Sequence, residues 1–490
     1  MSQSVAGALV NLDLFIDNGW RPAAAGQVFE VDNPATGEVV GLAAQGSRPD
    51  AVTALEAASR AFPVWSTMTG EERGRLLKKA GQVIFDRSAT LARILTQEQG
   101  KPLRDALKEV EGAAETLVYY GEEARRIGGE IASSRARNAR SLVLRQPVGV
   151  VAAISPWNYP VSLMAWKVGP ALAAGCTVVA KPTSETPLAT GHFVAACAEA
   201  GLPPGVVNVV TGPSGVVGEE LITNPLTKMV AFTGSTEVGR HLMQAASKTL
   251  KKLSLELGGH TALVVFKDAD LDRAVADAVK RSFRNMGQIC NAVNRIYLEQ
   301  AVAGEFVERF VAATRRLTIG DGLAQPDVDL GPMVNAEGIE RTERQIRDAL
   351  AKGARLLCGG RRPDRPELAR GFFFEPTAVT HVRSEMAVMS EETFGPLVAI
   401  DTFEGVDEAL QLANSTDYGL VTYAYTNDIS TLWRFAEGTE SGTVAFNTVS
   451  PDSLYAPYPA WKQSGLGVEL GHFGVDEYLR VKHVLIEFKA

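Results

Sequence analysis

Cysteine is scarce: four in 490 residues, at positions 176, 197, 290 and 358, with no Cys-x-x-Cys pair. That leaves neither a disulfide framework nor a zinc-ligand spacing, so no metal site is expected. Reduced thiols in a cytoplasmic protein are the simplest reading. Long hydrophobic runs are also missing. The longest, Val148–Ile154, is strand-sized and far short of a bilayer span, so no membrane partner is expected. Met1–Leu14 lacks a basic stretch followed by an apolar run, so no secretory signal is expected. Nor is there an excess of positive charge. Lys and Arg number 49 against 57 Asp and Glu, a net charge of -8, and no basic cluster tracks a phosphate backbone. A nucleic-acid partner is therefore excluded as an expectation. No repeat of fixed period and no low-complexity segment occurs.

What remains is an ordinary globular composition, 46% hydrophobic and 22% charged. The length exceeds what one core usually supports and predicts two or three domains. Strand-like apolar runs alternate with helical patterns. Strands are expected at Val148–Ile154, Cys176–Ala180, Val206–Val210 and Met229–Thr233. Helices are expected between and after them at Met164–Ala174, Thr190–Ala200, Val217–Thr223 and Val238–Ser247. This is the signature of βαβ units and a parallel sheet. A second α/β unit begins after Gly259, with a strand at Ala262–Phe266, a helix at Leu271–Met286 and a strand at Asn294–Glu299. Gly359–Arg370, rich in Pro and charge, reads as a solvated connection. Ser141–Gln146 and Lys482–Phe488 read as strands without helices. Paired, they would make a small arm reaching another subunit, with an edge that needs cover.

Several residues could carry chemistry. Cys290 lies in Asn285-Met286-Gly287-Gln288-Ile289-Cys290-Asn291, between a helix and a strand; it is either an inert buried thiol or a nucleophile activated by local charge. The other three cysteines lie in or beside apolar runs and fit inert burial. Glu256, in Leu253-Ser254-Leu255-Glu256-Leu257-Gly258-Gly259, is a carboxylate inside an apolar strand. It is a base with a raised pKa or an ordinary hydrogen-bonded Glu. Asn158, in Ser155-Pro156-Trp157-Asn158-Tyr159-Pro160, is an oxyanion donor or a turn residue. Two glycine patterns could hold phosphate at a helix start or simply turn the chain: Gly212-Pro213-Ser214-Gly215-Val216-Val217-Gly218 and Gly234-Ser235-Thr236-Glu237-Val238-Gly239. Lys181 could reach a ribose or phosphate, or be a plain exposed lysine.

Together these blocks resemble the aldehyde dehydrogenase superfamily over nearly the whole chain. Six occur in the family's order: Ser155–Asn158, Lys181-Pro182, Phe232–Gly239, Leu255–Gly259, Gly287–Cys290 and Glu391-Glu392-Thr393-Phe394-Gly395-Pro396. The resemblance implies an α/β fold: a Rossmann-type cofactor domain (1–127 and 147–257), a second α/β catalytic domain (258–465) and a small β oligomerisation arm (128–146 and 466–490). It implies oxidation of an aldehyde to an acid with NAD or NADP in a homodimer or homotetramer. Cys290 would form a thiohemiacetal and then a thioester. Asn158 and the Cys290 amide would hold the oxyanion, and Glu256 would activate the hydrolytic water. The cofactor would be held by Ser155, Trp157, Lys181, Gly215, Gly234, Ser235, Glu392 and Phe394. Ser184 stands where strictly NAD-dependent members tend to carry Glu, which implies tolerance of NADP, tempered by Glu185.

Within the superfamily the chain is most similar to succinate-semialdehyde dehydrogenases, through Glu98-Gln99-Gly100-Lys101-Pro102, Phe283-Arg284-Asn285 and Lys462–Gly467. Arg284 matches an arginine that holds the substrate carboxylate there. A second such arginine is replaced by Trp166, and the usual Pro-Phe-Gly-Gly becomes Pro457-Tyr458-Pro459-Ala460, followed by Trp461. Trp166, Tyr455 and Trp461 are expected to make the channel more aromatic. The substrate is then a semialdehyde or other small anionic aldehyde on Arg284, or a bulkier or aromatic one stacked on Trp166. A CoA-acylating relative would lack Glu256, and a non-catalytic homologue would lack the set of Cys290, Glu256 and Asn158. The second cysteine that many relatives carry after the nucleophile is absent, since Asn291-Ala292 follows Cys290.

Overall fold

A computed structural model describes residues 9–489. The expectation of no leader over Met1–Leu14 falls largely on residues 1–8, outside the described residues. Two sheets of mostly parallel strands dominate, as the alternating pattern predicts.

The first sheet runs in the order Gly465–Leu466, Lys252–Glu256, Thr227–Thr233, Val150–Ile154, Thr177–Lys181, Val207–Val209, Leu14–Ile16, Gly19–Arg21. Its five inner strands are parallel, and the flanking pairs are antiparallel. All five residues of Thr177–Lys181 are buried, as they must be when helices cover both faces. Chain order reverses between Val150–Ile154 and Thr227–Thr233, so a crevice opens at the carboxyl ends of these two neighbours.

The second sheet runs Arg355–Cys358, Thr377–Thr380, Leu397–Phe403, Val293–Glu299, Thr261–Val265, Val421–Tyr425, Thr443–Phe446, and only its first pair is antiparallel. The chain passes from Glu256, the last residue of a strand in the first sheet, through Gly258-Gly259 to Thr261, the first residue of a strand in the second. Cys290 precedes Val293–Glu299 in that second sheet. The carboxyl edge of one sheet therefore meets the amino edge of the other. A Cβ on Gly259 would collide with the Cys290 carbonyl, so this crossing requires glycine.

Ser141–Gln146 and Lys482–Phe488 fall within Ala139–Pro147 and Leu479–Glu487, apart from Phe488, and the two strands pair antiparallel, with Leu144 opposite Lys482. Glu130–Ala132 adds a third strand. Three differences from the sequence reading have local causes. The helix expected at Leu271–Met286 ends at Phe283, because Asn285, Met286 and Gly287 all adopt positive φ (51, 59 and 68°). The short helix expected at Val217–Thr223 begins as a π-turn at Ser214–Gly218. Four helices, Arg48–Thr67, Gly70–Asp86, Ser88–Gln99 and Leu103–Glu123, lie where no element was singled out. The second of them carries a capping box, Thr69 with Glu72, that marks its start. Among the described residues, no helix is long and apolar enough to cross a membrane.

Candidate active site

Cys290 is held by a loop that a straight helix could not make. Two non-glycine residues with positive φ are costly and persist only where their surroundings overdetermine them. Here side chains do so. Asn285 Nδ2 donates to the Asn158 carbonyl (3.3 Å) and the Gln288 carbonyl (3.4 Å), and its Oδ1 accepts from Gln99 Nε2 (3.1 Å). Gln288 Nε2 donates to the Asn285 carbonyl (2.9 Å), and its Oε1 accepts from the Val334 amide (2.9 Å).

Asn158 follows the strand Val150–Ile154 and precedes the helix Pro160–Ala174. A buried ion pair fixes this junction. Lys101 Nζ bonds Glu109 and donates to the Asn158 carbonyl (2.7 Å). Glu109 Oε1 accepts from the Val161 amide (3.0 Å) and the Ser162 amide (3.3 Å), groups a helix start leaves free. Asn158 Nδ2 donates to the Gln288 carbonyl (3.0 Å), which ties the two loops together.

Two clefts meet at Cys290. The first, about 260 Å³, is lined among others by Asn158, Trp166, Thr233, Glu256, Arg281, Arg284, Cys290, Tyr458 and Glu469. The second, about 280 Å³, lies at the strand-order reversal of the first sheet. It is lined by Trp157, Asn158, Thr233, Gly234, Ser235, Gly258, Cys290, Arg341, Glu392 and Phe394, with others. Cys290, Asn158, Thr233 and Leu163 belong to both. The second cleft fits an anionic dinucleotide. Ser235 is the exposed N-cap of the helix Thr236–Ser247, so free amides face the cleft. Trp157 and Phe394 meet edge to face at 5.3 Å and wall it. Glu392 accepts from the Gly259 amide (2.9 Å), and its carboxyl is pushed up to about 7, chiefly by burial.

The electrostatics around the thiol are unusual. Burial first, and then the carboxylate of Glu256, push the Cys290 thiol up to about 12, while Arg281 pulls it down. Glu256 is itself raised well above the carboxylate range by burial and by Glu469, against Lys167. Its Oε1 is buried without a hydrogen-bond partner. Behind it, Lys167 Nζ donates to Glu469 Oε1 (2.7 Å) and Thr233 Oγ1 (2.6 Å). The site thus sets a thiol raised by burial beside a carboxyl whose proton affinity is also raised, with a buried cation one step away.

Of the residues expected at the site, Cys290, Glu256, Asn158, Arg284 and Trp166 line the first cleft, and Trp157, Gly234, Ser235, Glu392 and Phe394 line the second. Ser155 is buried and Lys181 bonds Ser214 (3.3 Å); neither lines that second cleft, nor do exposed Ser184 and Gly215. Burial lowers Lys181 to about 8. Tyr455 and Trp461 lie outside both clefts. Tyr455 is 80% exposed and stacks edge-on against Tyr119, and Trp461 sits in a short strand pairing with Gly419. The inner aromatic place is filled instead by Tyr458, whose hydroxyl accepts from Asn291 Nδ2 (2.8 Å) and whose ring meets Trp166 edge to face at 5.9 Å. Sequence reasoning did not single out Tyr458, Arg281, Lys167 or Glu469. For Lys167 there was a signal, a lone charge in an otherwise apolar helix.

The pattern of the aldehyde dehydrogenase family matches residues 20–484. A probable succinate-semialdehyde dehydrogenase [NADP(+)] of Sinorhizobium fredii is 45% identical over 469 residues, 95% of this chain and 94% of that protein. Glutarate-semialdehyde dehydrogenase of Pseudomonas putida is 42% identical over 472 residues, covering 96% and 97%. A betaine aldehyde dehydrogenase structure from Staphylococcus aureus, in complex with NAD+, aligns with a TM-score of 0.94 at 35% identity, covering 97% of this chain and 94% of that one.

Proposed function

Because the chain belongs to the aldehyde dehydrogenase family, we propose that it oxidises a semialdehyde or another small anionic aldehyde to the acid, with NAD or NADP as electron acceptor. The observation that carries this reading is that Cys290 is shared by a cleft fit for a dinucleotide and a cleft that brings Lys108, Lys280, Arg281 and Arg284 alongside Glu109, Glu256, Asp452 and Glu469. When bound, the cofactor supplies a hydride acceptor at the mouth of the second cleft, held by Trp157, Gly234, Ser235, Glu392 and Phe394. Ser155, Lys181, Ser184 and Gly215 would serve its adenosine end, along the carboxyl edge of the first sheet. A neutral, exposed Ser184 leaves room for a 2′-phosphate.

The chain's own steps follow from the site. Cys290 Sγ attacks the carbonyl carbon as its proton passes to solvent, and the new oxyanion is met by Asn158 Nδ2 and the Cys290 amide. Loss of hydride from the carbon leaves a thioester on Sγ. Glu256, whose carboxyl is raised above the ordinary carboxylate range by burial and Glu469, takes a proton from water in its ionised form, and that water attacks the thioester and frees the acid and the thiol. The unpartnered Oε1 of Glu256 leaves an acceptor for that water. Glu469 and Lys167 supply a route for the proton beyond it.

The aromatic pair Trp166–Tyr458 favours a second reading, a bulkier or aromatic aldehyde. Lys108, Lys280, Arg281 and Arg284 in the same lining favour the anion. The domain division follows the two sheets, and the paired strands Ala139–Pro147 and Leu479–Glu487 are proposed as the arm of a homo-oligomer. Four free cysteines favour a reducing compartment, the cytoplasm. The test is direct. Purified enzyme is given succinate and glutarate semialdehydes, a neutral aliphatic aldehyde and benzaldehyde, each with NAD and with NADP, and absorbance at 340 nm is followed. Turnover fastest with a semialdehyde is expected; no reduced cofactor with any of them contradicts the proposal.

A further inference from the structure

The helix Leu271–Phe283 ends in the wall of the first cleft and brings Lys280, Arg281 and the adjoining Arg284 to it. The two arginines are not equivalent. Arg284 is half-buried, faces the Tyr159 ring at 5.8 Å and stands 3.9 Å from Asp105. Arg281 is buried next to the nucleophile. Its Nε donates to the Tyr423 hydroxyl (2.9 Å) and the Asn291 carbonyl (3.3 Å), and its Nη2 donates to Asn291 Oδ1. Asn291 directly follows Cys290 and is bonded onward to Tyr458. Among the described residues, no hydrogen bond engages Arg281 Nη1.

A buried guanidinium needs an anionic partner, because neutral acceptors repay only part of its lost hydration. The candidate in the structure is Asp452, and it is a poor one. Its Oδ1 stands 3.8 Å from Nη2, beyond hydrogen-bond distance, and its side chain is 48% exposed. The fork is thus oriented by neutral groups, carries unspent donors, and faces a loosely held carboxylate across a cavity. Its charge is felt at Cys290, where it opposes the upward push of burial.

We propose that Arg281 is the anion-binding group of the substrate pocket, and that Asp452 is a stand-in counter-ion which the substrate's own oxyanion displaces. The substrate class is then a compact aldehyde whose carboxylate or sulfonate lies close to the carbonyl, since the guanidinium is bonded to the residue after the nucleophile. This rests on the reading of the cleft as a site of aldehyde oxidation. Arg284, half-buried, 3.9 Å from Asp105 and with its Nε buried without a hydrogen-bond partner, takes the secondary part.

The experiment compares kcat/KM for succinate semialdehyde and butanal, which share a chain length and differ in charge, in the wild type, Arg281→Met and Asp452→Asn. Loss of a charge-assisted bidentate contact predicts a fall of roughly 10- to 100-fold in the anionic-to-neutral ratio for Arg281→Met, mostly through KM. Asp452→Asn should raise the ratio several-fold by removing the competitor. A wild type that prefers the anion and an Arg281→Met enzyme that keeps the preference would overturn the assignment and leave the broader reading standing. An equal loss on both aldehydes would make Arg281 a structural residue and overturn it too. A wild type without preference for the anion would contradict the anionic-aldehyde reading itself. Should Arg281→Met fail to fold, Asp452→Asn decides: an unchanged or lowered ratio overturns the proposal.

Discussion

At Cys290, burial and the carboxylate of Glu256 act in the same direction, and the thiol rests near 12. Thiolate, not thiol, reacts with electrophiles, and below its pKa its fraction grows about tenfold per pH unit. Alkylation of Cys290 by iodoacetamide in the cofactor-free enzyme should therefore be slow at neutral pH and rise steadily to pH 10, read by mass spectrometry of the Cys290 peptide. A rate already level at pH 8 would mean a thiol activated before any cofactor binds. Glu256 has the matching sign: a raised carboxyl is protonated in acid, so base catalysis appears only as pH rises through its elevated pKa. The acid limb of kcat should stand well above the usual carboxylate value of 4.5 and vanish in Glu256→Gln. A limb at the ordinary value would contradict the buried-base account. The six motif blocks made Cys290, Glu256 and Asn158 legible as candidates, and the structure brings them to one cleft. Arg281, which meets Tyr423 across 142 positions, had no local signal; the lone charge of Lys167 in an apolar helix announced a need for a partner but not that the partner is Glu469, 302 positions away. Tyr455 and Tyr458 could not be told apart for a related reason: one lies outside against Tyr119 and the other inside against Trp166 and Asn291, all partners distant in sequence.

Between elements, the junction of the strand Val150–Ile154 with the helix Pro160–Ala174 depends on Lys101 and Glu109, which are 1% and 0% exposed. Removing one partner strands a buried charge at a cost of about 3–5 kcal/mol. Lys101→Met should lower stability by that order and displace Asn158, and Lys101→Met with Glu109→Gln should recover part of it, measured by urea unfolding. Full additivity of the two losses would contradict a coupled pair. The parallel strands were legible as buried apolar runs, usually within two residues at each end. The four helices between Arg48 and Glu123 were overlooked although Thr69 and Glu72 signal one start. The early end of the helix at Phe283 was invisible because Asn285 and Met286 adopt positive φ only with Gln99 and Gln288 bonded around them.

For the whole molecule, the meeting of two sheet edges explains why Cys290, Glu256 and Asn158, from three distant segments, line one cleft. The proposed arm would extend this to assembly. Val481 and Leu485 lie 72 and 61% exposed on one face of it, and Ile131 and Leu144 lie 79 and 40% exposed on the other; exposed apolar residues of that kind seek cover. Val481→Glu with Leu485→Glu should shift the protein to monomer in analytical ultracentrifugation, while an unchanged oligomer, or a monomeric wild type, would remove the arm from assembly. The central claim is chemical and is tested most directly by trapping the acyl intermediate. Glu256→Gln enzyme mixed with semialdehyde and cofactor, quenched within one turnover and analysed by peptide mass spectrometry, should carry the acyl mass on the Cys290 peptide, with one equivalent of reduced cofactor formed. Reduced cofactor accumulating with no acyl group on Cys290, or with the group on another residue, would contradict the account.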